Sequence, residues 1–338
     1  MRKAILFLSM TLIVMTMTAC RSIETPPAMP PAVSPAAEAA PAPVTPPAPE
    51  PTPEVPQVYN RIRPEVDREG YAITLPDEIS TIISIGPSNT EVLVALGFGD
   101  KIISTDRFSH DVPGIAEGIS VLDMLSLDAE FIIDLNPDII FITGMTRVHG
   151  DDNPLRLVSD VGITVIYMPS SVSISAIIED IRFMADVMDA HDTGEEIIAE
   201  MQAELDRIQA IARTITETRT VYFEIAPAPN MWTLGANTFV HEMIELVGAV
   251  NIFANKDSWV SVADEALLEA NPDVIITSVN FLDDPIAEIM NRPGWGAITA
   301  VQNGDVFQVD TSTSNRPSHN IVKALREIAE AVFPEYFL

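Results

Sequence analysis

The sequence predicts an α/β fold: two Rossmann-like lobes with mainly parallel sheets, joined by a single long helix. Three observations carry this. The stretch Thr193 to Ile215 places Ile197, Ile198, Met201, Leu205, Ile208, Ile211, Ala212 and Ile215 at steps of three and four, the apolar stripe of a helix. The chain before that stretch is loosely repeated after it. Finally, short apolar runs alternate with helical patterns on both sides, as in parallel sheets covered on both faces.

The repeat is legible by inspection. Glu130-Phe-Ile-Ile-Asp-Leu-Asn-Pro-Asp-Ile-Ile-Phe141 is echoed by Glu265-Ala-Leu-Leu-Glu-Ala-Asn-Pro-Asp-Val-Ile-Ile276, an offset of 265 − 130 = 135. Each copy reads as a short helix, an Asn-Pro-Asp turn and a buried strand. Gly86-Pro-Ser-Asn-Thr90 and Gly235-Ala-Asn-Thr238 precede the copies and open helices. Gly162–Tyr167 and Gly304–Val309 follow them as glycine-led strands. The same parts in the same order twice predict two similar lobes.

In chain order, residues 1–19 read as a signal peptide, with Arg2 and Lys3 before the apolar run Ala4–Met15. The segment ends at Met17-Thr-Ala-Cys20 and resembles a bacterial lipoprotein signal, in which the cysteine is lipidated. Residues 20–58, mostly Pro, Ala, Thr and Glu, carry too little apolar surface to fold and form a disordered stalk. Residues 59–190 make the N-terminal lobe, 191–217 the linking helix and 218–338 the C-terminal lobe.

In the first lobe an edge strand is expected at Tyr71–Leu75 and a core strand at Thr81–Ile85. A helix follows over Val92–Leu96, with Ser88 and Glu91 as a capping box. Further strands are expected at Lys101–Ile103, Ile139–Ile142 and Thr164–Tyr167. Thr193 is the expected cap of the linking helix. The second lobe supplies strands at Val221–Ile225, Val274–Thr277 and Val306–Val309, then a helix at Asn320–Val332.

Charge and cysteine exclude several function classes. There are 49 acidic against 19 basic residues, a net charge of −30, which argues against nucleic-acid partners. A lone cysteine, Cys20, leaves no disulfide framework, cysteine zinc site or iron–sulfur cluster. No Gly-x-Ser-x-Gly element or Ser–His–Asp set can be assigned, so an enzyme is not expected.

Ligands of open α/β sheets meet the loops after the carboxyl ends of strands. Those loops carry Phe108, Trp232 and Trp259, whose faces stack on flat ligands, and Arg107, Arg147 and Arg316, which pair with carboxylates or catecholates. Trp295 is assigned to packing. His191 and His241 are read as structural. His110, His149 and His319 fall on cleft loops but without metal-ligand spacing, so no metal site is assigned.

Ser84–Ile102, Leu135-Asn-Pro-Asp-Ile-Ile140, Arg292-Pro-Gly-Trp295, Ala300–Val306 and Asn315-Arg-Pro-Ser318 occur in the order seen in the iron-chelate (siderophore) and cobalamin substrate-binding proteins of ABC importers. Residues 60–335 resemble that family. The resemblance implies two lobes bridged by one rigid helix and no intrinsic cofactor. It implies a monomer that takes a metal chelate, with ferric siderophore placed ahead of corrinoid and haem. Its partners would be an ABC permease with its ATPase, and the membrane through the lipid on Cys20. The family's permease-docking glutamate, seven residues before the Pro of the Pro-Asp turn, matches Glu130 and Glu265. Its ligand-touching aromatics match Trp259 and Trp232, and its arginine before the Pro-Ser turn matches Arg316. Cobalamin receptors place a tryptophan before the first glutamate's helix, where this chain reads Val121-Leu-Asp-Met124.

Overall fold

β1 (Ile82–Ile85) is buried along its whole length and centres the first lobe. It is followed by α1 (Pro87–Ala95), β2 (Ile102–Asp106), β3 (Ser120–Leu122), α2 (Ala129–Leu135), β4 (Ile139–Thr143), α3 (Leu155–Asp160), β5 (Thr164–Met168) and α4 (Ile174–Val187). The structure, a computed structural model, describes residues 63–146 and 153–337. The readings on residues 1–58, including Cys20, and on Arg147 and His149 lie outside them.

The first sheet has the order β3-β2-β1-β4-β5, with every pair parallel. Alternation along its central strands sorts side chains between two cores. Ile82, Ile139 and Phe141 face one cluster, whereas Ile83, Ile85, Ile140 and Ile142 face another. Both faces are therefore covered, which is why these strands read as unbroken apolar runs.

α5 (His191–Ala212) is the long helix, 22 residues or roughly 33 Å at about 1.5 Å per residue. Its N-cap is Ala190, three residues before the expected Thr193, and Ala190 supplies no side-chain cap. The left-handed Asp189 (φ 54°) turns the chain sharply from α4 into α5, and His191 Nδ1 meets Asp186 at 2.7 Å. Ile198, Met201, Leu205 and Ile208 are buried in one cluster with Ile181 and Met184 of the first lobe and Phe223 and Ile328 of the second. Arg182–Glu195 and Arg326–Glu204 ion pairs tie its first turns and its middle to opposite lobes.

The second lobe contains β6 (Thr220–Glu224), β7 (Trp232–Leu234), α6 (Phe239–Leu246), β8 (Val250–Asn251), β9 (Trp259–Ser261), α7 (Asp264–Ala270), β10 (Val274–Thr277), α8 (Pro285–Met290), α9 (Thr299–Asn303), β11 (Val306–Gln308), α10 (Thr311–Asn315), α11 (Ile321–Val332) and α12 (Pro334–Phe337). Its main sheet is parallel, in the order β11-β10-β6-β8. β7 and β9 form a separate antiparallel ribbon. Trp295 is fully buried, as assigned, and donates Nε1–H to Asp264 at 2.9 Å. The guanidinium of Arg292 lies 4.1 Å from its ring centroid and bonds Glu224 at 2.7 Å and also Glu288. Burial pushes the Glu224 carboxyl up, and the Arg292 hydrogen bonds oppose that shift. An unpaired carboxylate there would be strongly destabilising.

Two further local expectations fail. No strand forms over Tyr71–Leu75, where the described residues show only the bridge Val66–Ala72. The Tyr167 N–H, which a neighbouring strand would need, donates instead to Asp67 Oδ2 at 3.0 Å. Thr164 reaches Thr74 only through its hydroxyl, so no ladder can propagate. The Ser88–Glu91 capping box is also absent: α1 starts at Pro87, after Gly86. Glu91 bonds residues of the other lobe.

Candidate functional site

In the first sheet the chain runs outward from β1 to β3 and then returns to β4 on the other side of β1. The loops leaving β1 and β4 therefore part company and leave a crevice at the strand ends. The loop after β1 opens with Gly86 at φ 108°, and a Cβ there would stand 3.0 Å from Thr143 Cβ. Glycine fits both the backbone angle and the space. Asp106, fully buried at the end of β2, fixes this loop by accepting from Gly86 N–H at 2.7 Å, and it also accepts from Phe108 N–H and the Ser109 hydroxyl.

A cleft of about 860 Å³, counted with its open mouth, lies here between the lobes. The first lobe lines it with Gly86–Ser88, Thr143 and the segment after β5. The second contributes the start of α6, Ser258–Trp259 and Asn315–Pro317. Met124, Met145, Phe239 and Trp259 give it a mainly apolar wall. Thioethers adapt to irregular apolar surfaces. Trp259 is 62% exposed and Met145 70% exposed, so both stand at the mouth. β9 holds the indole in place through its pairing with β7, where Leu234 lies opposite Trp259.

Arg316 also lines the cleft, but its charge is met inside the protein. Nη1 donates to Glu91 at 2.9 Å, and Nη2 donates to the Phe108 carbonyl at 3.0 Å and to Asp111 at 3.3 Å. Glu91 in turn accepts from the Ser318 hydroxyl at 2.5 Å and from Asn320 Nδ2 at 3.0 Å. Sequence reading missed this role of Glu91 because its partners lie more than two hundred positions away. The available signal was an acid opening the apolar run Val92–Leu96.

The structure brings Trp259 and Arg316 together on the cleft wall. Phe108 and Trp232 are not among the lining residues. Phe108 is half-exposed with the Arg107 guanidinium 4.6 Å from its ring centroid. Trp232, on β7, is 40% exposed opposite Ser261. Met124, from the segment where cobalamin receptors carry a tryptophan, does line the cleft.

His110 is exposed and its Nδ1 lies 2.5 Å from the Arg107 carbonyl. His319 has a buried Nδ1 without a hydrogen-bond partner, and burial lowers its pKa despite the nearby Glu91 charge. Among the described residues no group of three or more His, Cys, Asp or Glu could hold a metal ion. Glu130 and Glu265 are exposed in the first turns of α2 and α7, one on each lobe. Asp128 caps α2 by accepting from the Glu130 and Phe131 N–H groups.

Comparison with known proteins adds four findings. A sequence profile described as periplasmic binding protein matches residues 82–313. The chain is 28% identical over 273 residues to an uncharacterized ABC transporter substrate-binding lipoprotein of Bacillus subtilis strain 168, covering 80% of this chain and 85% of that one. It is 25% identical to a cobalamin-binding protein of Halobacterium salinarum, covering 79% and 73%. Among solved structures, a possible iron-binding, periplasmic solute-binding protein of Staphylococcus epidermidis superposes with a TM-score of 0.66 at 26% identity, covering 76% of this chain and all of that one.

Proposed function

The chain belongs to the periplasmic binding protein family, and from that premise we propose that it is the extracytoplasmic receptor of an ABC importer, capturing a metal chelate and delivering it to the permease. The observation that carries the ligand class is the composition of the cleft. Trp259, Phe239 and two methionines meet an organic face, so the metal arrives already wrapped in its chelator. The ligand classes are a ferric siderophore, a corrinoid or haem. The protein binds and releases; it does not transform its cargo.

A corrinoid is favoured over an anionic siderophore by one feature. Arg316 already pairs with Glu91 and Asp111, so among the described lining residues no unpaired cation awaits a catecholate. The name of the Halobacterium relative points the same way.

In this reading the lipid on Cys20 anchors the protein, residues 20–58 form the stalk, and Glu130 and Glu265 meet permease arginines while Trp259 and Arg316 contact the cargo. Phe108 and Trp232 are proposed at the rim, and Arg147, outside the described residues, is kept as a proposed ligand contact. Titration of the purified chain with cyanocobalamin, haemin and ferric hydroxamate and catecholate siderophores, followed by tryptophan fluorescence, tests the ligand class. At least one is expected to quench saturably. A panel with no binder overturns the chelate reading.

A further inference from the structure

Two carboxylates cross between the lobes beside the cleft, one in each direction. Glu91 projects from α1 of the first lobe and is 7% exposed. All its hydrogen bonds come from the second lobe, from the alternate residues Arg316, Ser318 and Asn320. Glu242 projects from α6 of the second lobe and accepts from the Ile174 N–H at 2.7 Å, at the start of α4 in the first. The two sites sit at different parts of the wall. Arg316 and Pro317 line the cleft beside the Glu91 contacts, whereas Val172 and Phe239 line it beside the Glu242 contact. α1 and α6 are the helices opened by the repeated glycine–asparagine–threonine segments, so each half of the repeat sends one acid across.

We propose that Glu91 and Glu242 form a reciprocal clasp that sets the separation of the lobes, making both positioning residues for the cleft. Among the described residues the carboxylate of Glu91 has no partner within its own lobe. Its three bonds exist only at this lobe separation, and opening the cleft exchanges them for water. Charge-assisted bonds at a nearly buried carboxylate are strong, but water competes for the same oxygens, so the closed arrangement is held without being locked. A ligand touching both walls then needs only a small differential affinity to shift the balance. Glu91 also fixes Arg316, one of the two sequence-predicted contacts on the cleft wall. The clasp is independent of which ligand binds, and only the affinity measurement below rests on the receptor reading.

The test uses the full chain with Cys20→Ser, carrying nitroxides at Asp134→Cys and Glu269→Cys, exposed positions one on each lobe. Pulsed electron resonance reads the distance between them. The parent is expected to give one narrow distribution. Glu91→Ala should broaden it and move it to longer distance, Glu91→Gln should lie between, and Glu91→Ala/Glu242→Ala should show the largest change. A double variant that melts as a folded protein yet keeps the parent distribution overturns the clasp. Should Glu91→Ala fail to fold, Ser318→Ala/Asn320→Ala removes two of the donors instead, and an unchanged distribution there overturns it equally. For whichever of cyanocobalamin and haemin the parent binds, Glu91→Ala should raise Kd at least fivefold with most of the loss recovered in Glu91→Gln. Equal affinity in parent and Glu91→Ala overturns the positioning role. If neither probe binds the parent, the corrinoid and haem readings are what fail, and the distance measurement still decides the clasp.

Discussion

Asp138 and Asp273, 135 positions apart in the repeat, make the same knot in each lobe. Asp138 Oδ2 accepts from the Thr81 N–H at 2.8 Å and the Thr81 hydroxyl at 3.0 Å, and Asp273 Oδ2 accepts from the Thr220 N–H at 2.8 Å and the Thr220 hydroxyl at 2.7 Å. In both, the aspartate's own N–H donates back to the threonine hydroxyl at 3.0 Å. Asn136 and Asn271, both left-handed at φ 49° and 44°, end the preceding helices and aim the chain into this knot. The Asn-Pro-Asp signature thus registers the first strand of each lobe against the strand beside it.

Asp138→Asn is therefore expected to lower stability by roughly 1 kcal/mol, a figure discounted because the carboxylate is partly exposed. Partial burial raises the Asp138 pKa, but the N–H groups of Ser80 and Thr81, the Thr81 hydroxyl and the charge of Lys101 outweigh it and hold the group below the ordinary carboxylate range. A pKa depressed on folding gives stability that is complete above the unfolded value of about 3.9 and is lost as pH falls through the folded value. Melting curves of parent and variant should differ at neutral pH and converge in acid. A gap that persists in acid would show that the charge of Asp138 is not the source.

Trp259 stands at the mouth of the cleft with most of its ring exposed. Trp259→Ala should weaken binding of whichever chelate the parent takes by ~1 kcal/mol or more, about fivefold in Kd. Its melting temperature should hardly move, because so exposed a ring contributes little to the core. A parent-like Kd would remove Trp259 from the contact set.

Glu130 and Glu265 occupy matching first turns on the two lobes. Reversing both, as Glu130→Arg/Glu265→Arg, should block uptake in cells, because like charges then oppose each other at the permease. Ligand affinity should be unchanged, and the stability cost should stay near 0.3–1 kcal/mol for each first-turn acid. Normal uptake at normal expression would leave these acids as ordinary helix-dipole partners.

Cys20→Ala should release the protein from the membrane fraction, because two acyl chains hold a protein where one gives only reversible binding. Retention of the variant, with acyl chains still detected by mass spectrometry, would contradict the anchor.

The architecture was legible because a repeat is a long-range signal written in local residues. Once Glu130–Phe141 was seen to echo Glu265–Ile276, parallel strands and a joining helix followed. What escaped was decided by partners far along the chain. Glu91 carries the spacing of a cap, yet it is claimed by Arg316, Ser318 and Asn320 from the other lobe. Tyr71–Leu75 has strand composition, but Asp67 takes the N–H group that pairing required. β3, β7, β8 and β9 span only two or three residues each, too short for a period-two pattern to register. At the cleft, Trp259 and Arg316, which the sequence nominates, are among the lining residues, and their contact with cargo is a proposal. Met124 and Met145 are not nominated, since a methionine in a loop gives no hint of the surface it will join.

The burial of one face of α5 against both lobes has a thermodynamic consequence. Ile198, Met201, Leu205 and Ile208 belong to one apolar cluster together with Ile181 and Phe223, so neither lobe can melt without stripping cover from the other. At about 25 cal/mol for each Å² of apolar surface returned to water, that coupling suppresses half-unfolded species. The two halves of the repeat are therefore a single cooperative unit on heating, and a fragment ending within α5 would carry an open hydrophobic face.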